Sequence, residues 1–174
     1  MMAALIWGCE KAPQPKAQVA DPSAPASVSA SVAKPGGSGA YSFQDLELGV
    51  TTKSEYEKRV GRTLPPLPDE TWIAMETDRN PKTTFAGAPV KSIAVMFLDD
   101  RLMQIQAVFD IEHDAQVVRA LTEKWGEPKR SESWDNGVSR IWVRLNSNND
   151  SEVMYMHKGL GDEMLNRSPK LNKK

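Results

Sequence analysis

The sequence predicts an α+β domain in which two short helices pack on one face of an antiparallel sheet of about five to six strands. Two segments carry apolar residues at helical spacing and end at a glycine. Other segments alternate apolar and polar residues and are joined by turn residues, as antiparallel strands are. The order is helix, two or three strands, helix, three strands, which favours a two-layer architecture and is compatible with a divergent α-β-β duplication.

The first helix is predicted over residues 52–60. Thr52 followed by Glu55 has the spacing of a capping box, and Gly61 suits the position just after a helix end. Prolines between residues 62 and 70 then exclude a helix, so we expect an irregular crossing there. The following segment, residues 71–77, is predicted to be a strand.

The clearest element is a β-hairpin that follows this strand. Apolar residues alternate with smaller or polar ones from Ile93 to Phe97, and again from Met103 to Phe109. Asp99-Asp100 lies between the two runs and supplies the turn. The side that carries Met103 and Ile105 is expected to face the core.

A second helix and a second hairpin complete the domain. The spacing of Val117, Leu121 and Trp125 predicts a helix over residues 113–125. Asn136-Gly137 is the strongest short turn signal in the chain, so the segments on either side of it are predicted to pair. One further strand is expected after this hairpin.

Composition limits the classes of partner and chemistry. The chain has 174 residues with 22 Lys and Arg against 23 Asp and Glu, so its net charge of −1 gives no electrostatic basis for binding nucleic acid. The one cysteine cannot form an internal disulfide or a zinc cluster of cysteines. We therefore expect one folded domain, no nucleic-acid partner and no cofactor.

The chain divides into four predicted parts. Residues 1–9 are interpreted as the end of a signal peptide. Residues 10–40 are interpreted as a disordered tether, because they are rich in Ala, Pro, Ser and Gly and lack aromatic side chains. Residues 41–160 are predicted to form the α+β domain. Residues 161–174, which are polar and end in lysines, are predicted to form a flexible basic tail.

The single cysteine stands where a lipid anchor would be. The stretch Leu5-Ile6-Trp7-Gly8-Cys9 resembles the lipobox of bacterial lipoproteins, whose cysteine becomes lipidated. Because the apolar run before Cys9 is short and carries no Lys or Arg, the start of the signal peptide is expected to be missing. The resemblance implies attachment to a membrane through a lipid on Cys9, and Glu10 favours the outer membrane, facing the periplasm. The alternative is a chance cysteine in a disordered terminus.

The first half of the domain resembles a known family. Leu48-Gly49-Val50-Thr51 opens a short helix, Gly61 closes it, and hairpin strands follow. This layout is similar to small periplasmic lipoproteins of the BamE (SmpA/OmlA) type and to the related β-lactamase-inhibitor-protein fold. Those chains usually have Met where this one has Val50, and a Leu-Gly-x-Pro that Arg62-Thr63-Leu64 interrupts here. The resemblance implies a fold and an envelope compartment, and it does not transfer a function.

No catalytic or metal site is predicted. His113 and His157 have no second ligand at metal spacing, so they are interpreted as solvent-facing or helix-capping residues. Asp99, Asp100 and Asp110 flank a hairpin, where acidic residues are more often turn residues than acid–base pairs. No serine lies in a Gly-x-Ser-x-Gly elbow, so an enzyme is the least favoured class.

The candidate partner-binding residues lie on the last three strands. If Ile141 and its apolar alternates point inward, the outward side chains form the set Arg140, Trp142 and Arg144. Trp134 lies on the same hairpin, and Tyr155 could extend the set from the next strand. Exposed Trp and Arg are enriched at protein interfaces. The alternative is that arginine stems or the tail cover Trp142.

Two functional hypotheses follow. The first is a membrane-anchored, non-enzymatic module that binds a protein partner, either as an envelope-assembly accessory or as an inhibitor or immunity protein that blocks a toxin or hydrolase. The second is a small-ligand or peptidoglycan-binding module that uses Trp134 and Trp142 as stacking platforms. A concave pocket lined by both tryptophans would favour the second hypothesis, and a flat Trp/Arg face would favour the first.

Overall fold

The computed structural model describes residues 39–168, and residues 1–38 and 169–174 lie outside that range. Its helices are α1 (Lys53–Val60), α2 (Asp114–Trp125, after a 3-10 turn at Ile111–His113) and α3 (Lys158–Arg167). Its strands are β1 (Ser42–Phe43), β2 (Leu46–Glu47), β3 (Pro66–Leu67), β4 (Glu70–Asp78), β5 (Thr84–Phe85), β6 (Ala88–Pro89), β7 (Ser92–Leu98), β8 (Arg101–Phe109), β9 (Ser133–Asp135), β10 (Ser139–Leu145) and β11 (Ser151–His157).

The main sheet is antiparallel and has seven strands in the order β3-β4-β7-β8-β11-β10-β9. The predicted α+β class with an antiparallel sheet is therefore confirmed for the described residues. This part of the chain has three helices and a seven-stranded sheet rather than two helices and five to six strands. Within the main sheet the strand missed from sequence is β3, which contains Pro66; it lies at the sheet edge, where the missing N–H is tolerated. The two-stranded sheets β1-β2 and β5-β6 were not predicted either.

Helix α1 begins and ends as its sequence predicts. Thr52 Oγ1 accepts a hydrogen bond from the Glu55 N–H at 3.1 Å, and Glu55 Oε2 accepts one from the Thr52 N–H at 2.9 Å. Gly61 closes the helix with a left-handed φ of 72°. The Lys53 N–H also donates to the Asp100 carbonyl at 2.9 Å, so the start of α1 is held against the β7–β8 turn.

The β7–β8 hairpin contains a bulge that the sequence pattern does not reveal. Met96 opposes Gln104 and Phe97 opposes Leu102, so Met103 is an extra residue in β8. Phe97 and Leu102 belong to the main core, whereas Met103 packs on the other side of the sheet. The prediction that Met103 faces the core together with Ile105 was therefore wrong, because a bulge interrupts the two-residue period.

One side of the sheet, here called the core face, packs against α1 and α2. Tyr56 of α1 and Val117 and Leu121 of α2 belong to the same buried cluster as the core-face strand residues. Aromatic rings join these layers, with 5.5 Å between the ring centroids of Tyr56 and Phe97. The two predicted helices therefore pack on the same face of the sheet.

The opposite side, here called the outer face, is covered in part by α3. Leu160 of α3 is buried against Ile73, Leu98 and Met103. The last turn of α3 is tied down by an ion pair between Arg167 Nη1 and an Asp99 carboxylate oxygen at 3.0 Å. The outer-face strand residues include Ile73, Leu98 and Met103 beneath α3, and Met75, Ala94, Met96, Gln104, Gln106, Arg140, Trp142, Arg144, Glu152, Met154 and Met156.

Two predicted boundaries are corrected. Residues 161–167, predicted to begin a flexible tail, form most of α3, because Leu160 and Met164 make an apolar pair at i, i+4 that packs on the sheet. Ala40, predicted as the last tether residue, is fully buried in the main core. The other predictions for the two ends of the chain, Cys9 among them, lie outside the described residues.

Candidate functional site

The predicted alternation along β10 is confirmed around Trp142. Ile141 and Val143 are buried on the core face, whereas Arg140 and Arg144 are exposed and Trp142 is partly exposed. We call the last three residues the Trp142 strip. They occupy successive outward positions of one strand, so the rigid sheet fixes their spacing.

Two other residues predicted to share this surface are instead core residues. Trp134 is buried, pairs with Ile141 in the sheet register, and donates from Nε1 to the Gly126 carbonyl at 2.7 Å. Tyr155 is also opposite Ile141 and fully buried, and this burial raises the pKa of its hydroxyl. The register places Met154, not Tyr155, beside Trp142. The prediction was wrong for Trp134 and Tyr155 because each is directly opposite Ile141 on a neighbouring strand. Residues that are directly opposite in a sheet point to the same face, which here is the core face.

The row of outer-face residues that contains Trp142 carries no charged side chain across four strands. Trp142 is opposite Met154, which is opposite Gln106, which is in turn opposite Ala94. Met154 is buried beneath this surface, and the other three residues of the row are partly exposed. An uninterrupted apolar and amide row is therefore available next to the Trp142 strip.

A groove of about 240 Å³ lies between this surface and α3. Gly161 lets the helix approach the sheet, because a Cβ at this position would lie 3.0 Å from Met156 Sδ. The groove is smaller than the roughly 300–1,000 Å³ of typical small-molecule pockets. It is lined by Arg140, Trp142 and Met156 from the sheet and by Lys158, Gly161, Asp162, Met164 and Leu165 from α3.

The cations at the groove are held by one carboxylate. Arg140 Nη2 and Lys158 Nζ lie 3.2 and 3.4 Å from oxygens of Asp135. The Gly137 N–H donates to the same carboxylate at 2.8 Å. This backbone hydrogen bond, followed by those from Arg140 and Lys158, lowers the pKa of Asp135 to about 2. Asp135 is therefore ionised throughout the physiological range and orients both cations.

At the other end of the strip, Arg144 pairs with Glu152 on β11. Arg144 Nη2 lies 2.7 Å from Glu152 Oε1, and Nε donates to the same oxygen at 2.8 Å. The exposed fraction is 56% for the Arg144 side chain and only 4% for that of Glu152. The same asymmetry holds for Arg140 and Asp135, at 52% and 22%. The two carboxylates are therefore more buried than the two arginine side chains, whose guanidinium groups face solvent.

His157 links the groove to the first half of the domain. Its Nδ1 accepts a hydrogen bond from the Leu160 N–H at 3.2 Å, so it caps α3, which confirms a helix-capping role for this histidine. Gly49 packs so closely that a Cβ there would lie 2.7 Å from His157 Cδ2. Burial, followed by the nearby charge of Arg101, lowers the pKa of His157 and favours the neutral capping form.

The acidic residues considered for catalysis have structural partners. Asp100 Oδ1 accepts from the Ser54 N–H at 3.1 Å, and Asp99 pairs with Arg167. Asp110 lies 2.8 Å from Lys91 Nζ, which also contacts Asp150. Asp99 and Asp100 form the β7–β8 turn, as interpreted, whereas Asp110 follows β8 and precedes the 3-10 turn.

Two features of the described residues bear on other site types. Between residues 39 and 168, no group of three or more His, Cys, Asp or Glu side chains is placed to hold a metal ion. No helix within the same range is long and apolar enough to cross a membrane.

A second depression of about 330 Å³ lies beside α1, and its lining mixes Tyr56 and Val60 with the charged Arg59, Asp78 and Lys82.

Sequence reasoning found the Trp142 strip and missed the helix that forms the opposite wall of the groove. The signals for α3 were present, since Leu160 and Met164 are four residues apart and His157 precedes them as a cap. No protein family, no curated protein and no solved structure matches this chain.

Proposed function

We propose that this chain is a lipid-anchored, non-enzymatic protein-binding module of the bacterial cell envelope. The observation that carries the binding part is the Trp142 strip: a partly exposed tryptophan between two exposed arginines on a rigid strand. Trp and Arg are the residue types that most often dominate binding energy at protein interfaces. The function of the outer face, which carries this strip, is to bind a protein partner. The partner is either an envelope component or a toxin or hydrolase that the module inhibits.

The alternative of a small-ligand or peptidoglycan-binding module has less support. It requires Trp134 and Trp142 as two stacking platforms, and Trp134 is buried with its Nε1 donating to a backbone carbonyl. The groove of about 240 Å³ also has room for one or two side chains rather than for a typical organic ligand. Both observations favour a protein partner over a small molecule.

The anchoring part of the proposal depends on the N-terminal sequence. Cys9 ends a lipobox-like stretch, and the following residues have the composition of a tether that would hold the domain away from a membrane. The resemblance of Leu48-Gly49-Val50-Thr51 and Gly61 to BamE-type lipoproteins supports an envelope location. We propose that the chain is anchored in the outer membrane with its domain facing the periplasm.

Binding is tested by affinity capture from envelope extracts with two double variants. Trp142→Ala with Arg140→Ala is expected to reduce the captured partner at least about tenfold. The control is Ile111→Ala with Arg119→Ala, which removes an exposed apolar side chain and an exposed arginine from the region of α2. Equal loss with both variants, or no loss with the first, would contradict binding through the Trp142 strip.

Anchoring is tested by fractionating native cells that express the protein from its own chromosomal locus. The wild-type chain is expected in the detergent phase, and Cys9→Ser is expected in the soluble fraction. Incorporation of labelled palmitate should disappear with the same substitution. A wild-type protein that is already soluble would remove the anchor from the proposal and leave the binding face to be judged by the capture experiment.

A further inference from the structure

We infer that the outer face binds an extended partner segment in which an apolar residue is flanked by carboxylates two positions away on each side, as in Asp-x-Phe-x-Asp. This inference rests on the proposed protein-binding function and names the chemistry of the segment that is bound. It is carried by three observations: the spacing of the strip, the accessibility of its charges, and the apolar row beside Trp142.

The spacing follows from the strand that carries the strip. Arg140, Trp142 and Arg144 are two residues apart on β10, so their side chains leave the sheet about 7 Å from one another. An extended partner segment has the same two-residue repeat on each of its sides. A partner lying along β10 can therefore present three side chains in register with these three residues.

The charges that a partner would meet are mainly cationic. Asp135 and Glu152 equal the two arginines in number, but their side chains have a smaller exposed fraction than the arginine side chains. Arginine has five N–H donors, so each guanidinium keeps donors after one carboxylate is satisfied. Lys158 adds a third cation at the end near Arg140. Asp162, one turn after Lys158 on α3, is the exposed carboxylate that lines the groove.

The centre of the site suits an apolar side chain. Trp142 and the row that continues through Met154 carry no formal charge, and Met156 and Met164 line the adjoining groove. Methionine side chains are flexible and polarisable, so they can adapt to different apolar groups. A central Phe, Leu or Met from the partner would be desolvated here while the flanking carboxylates meet Arg140 and Arg144.

The test uses the protein with ¹³C-labelled methionine methyl groups and three acetylated, amidated synthetic peptides. The first is Thr-Asp-Thr-Phe-Thr-Asp-Thr, the second has the same composition in the order Thr-Asp-Asp-Thr-Thr-Phe-Thr, and the third replaces both Asp with Lys. We expect the first peptide to shift the Met154, Met156 and Met164 signals and to bind at least about tenfold more tightly than the others. Its affinity should fall as NaCl rises from about 0.05 to about 0.5 M.

Protein variants identify the contacts. Trp142→Ala should weaken binding of the first peptide about tenfold or more, and Arg140→Gln should weaken it several-fold. Arg119→Gln, on α2, is the matched control and should leave binding unchanged. Because Arg144 pairs with the buried Glu152, its removal can unfold the site, so Arg144→Lys is used there and each variant is checked by thermal unfolding.

Each other outcome overturns the inference in a recognisable way. Equal binding of the Lys peptide or of the rearranged peptide would exclude the carboxylate pattern, while the proposed protein-binding function would still be judged by the capture variants. Methyl shifts that depend on protein concentration without peptide would mean that a second copy occupies the face. If no peptide shifts any of the three methyl groups, the inference fails, whereas only unchanged capture by the Trp142→Ala, Arg140→Ala protein would also remove the proposed function.

Discussion

The two faces of the main sheet are built from different side chains. The core face uses aromatic, aliphatic β-branched and Leu residues, and its rings contact one another, as Phe43 and Tyr155 do at 5.5 Å between centroids. Every methionine between residues 39 and 168 lies instead on the outer face or on α3 against it: Met75, Met96, Met103, Met154, Met156 and Met164. The same strands thus supply a methionine-free cluster on one side and a methionine-lined surface on the other.

This difference in side chains suggests that the core face provides stability and that the outer face can adapt its shape. Rings and branched side chains have few rotamers and pack to crystal-like density, which specifies one arrangement of α1 and α2 on the core face. Methionine has three rotatable side-chain bonds, so the outer face can reshape when α3 or a partner contacts it. We therefore expect the free energy of folding to depend mainly on the core face, and binding to depend on the outer face.

The sharpest test of this division uses adjacent residues of β7 that point to opposite faces. Phe97→Ala removes a fully buried ring on the core face and is expected to lower the free energy of unfolding by about 3–5 kcal/mol. Met96→Ala removes a partly exposed side chain from the outer face and should cost below about 2 kcal/mol. Urea unfolding of both variants measures the difference. Equal losses would mean that the outer face is as tightly packed as the core.

The second test asks how strongly the two halves of the molecule are coupled through His157. Gly49→Ala combines a left-handed φ of 77° with a Cβ only 2.7 Å from the His157 ring, so the α3 cap must move. Gly61→Ala has nearly the same φ of 72° and no atom within 4 Å of the new Cβ, so it measures strain alone, about 1–2 kcal/mol. We expect Gly49→Ala to destabilise more than Gly61→Ala and to shift the Met164 methyl signal. Equal effects on the free energy of unfolding would show that His157 moves aside without cost.

Local chemistry made much of the fold predictable from sequence. Thr52, Glu55 and Gly61 define α1 within one residue, because caps depend only on neighbours along the chain. The turn after Asp135 and the alternation around Trp142 are local in the same sense. These features required no knowledge of which strands pair.

Two of the wrong predictions concern how strands pair, which the alternation within a single strand does not show. Tyr155 lies on the core face because the β10–β11 hairpin places it opposite Ile141. That register depends on how the loop at residues 146–150 folds, which the alternation within one strand does not reveal. The bulge at Met103 is likewise a property of two paired strands. The tail prediction failed for residues 161–167 for a different reason: the polar composition of the segment outweighed the apolar pair Leu160 and Met164, which packs on the sheet.

The third test is the pH dependence of α3. Protonation of His157 at Nδ1 removes the acceptor for the Leu160 N–H, and the pKa of His157 is lowered in the folded state. The stabilisation is therefore complete above the unfolded-state pKa of about 6.5 and is lost as the pH falls toward the lower folded-state value. The protection factors of the α3 amides against hydrogen exchange should therefore fall, relative to those of α1, as the pH is lowered from about 7.5 to about 5.

A variant that caps without titrating provides the control. His157→Asn keeps a good N-cap acceptor and lacks a group that ionises in this range, so the pH dependence of α3 should flatten. Arg101 opposes protonation of His157, and it pairs with Glu163 of α3 at 3.1 Å, a contact that the variant leaves in place. A pH dependence that persists in His157→Asn would assign the effect to another group.

The smallest expected effect concerns the closeness of α3 to the methionine surface. Gly159→Ala and Gly161→Ala both raise the helix propensity of α3, by up to about 1 kcal/mol each. The Cβ at Gly159 would make only an ordinary contact, 3.6 Å from His157 Cε1, whereas that at Gly161 would lie 3.0 Å from Met156 Sδ. We expect Gly159→Ala to stabilise the protein, and Gly161→Ala to stay within about 0.5 kcal/mol of the wild type while it moves the Met156 methyl signal. Because a thioether can swing away at little cost, the groove should change shape without a large loss of stability. A loss as large as that of a core-face cavity would show that the outer face is rigid, and the contrast between the two faces would then be one of composition alone.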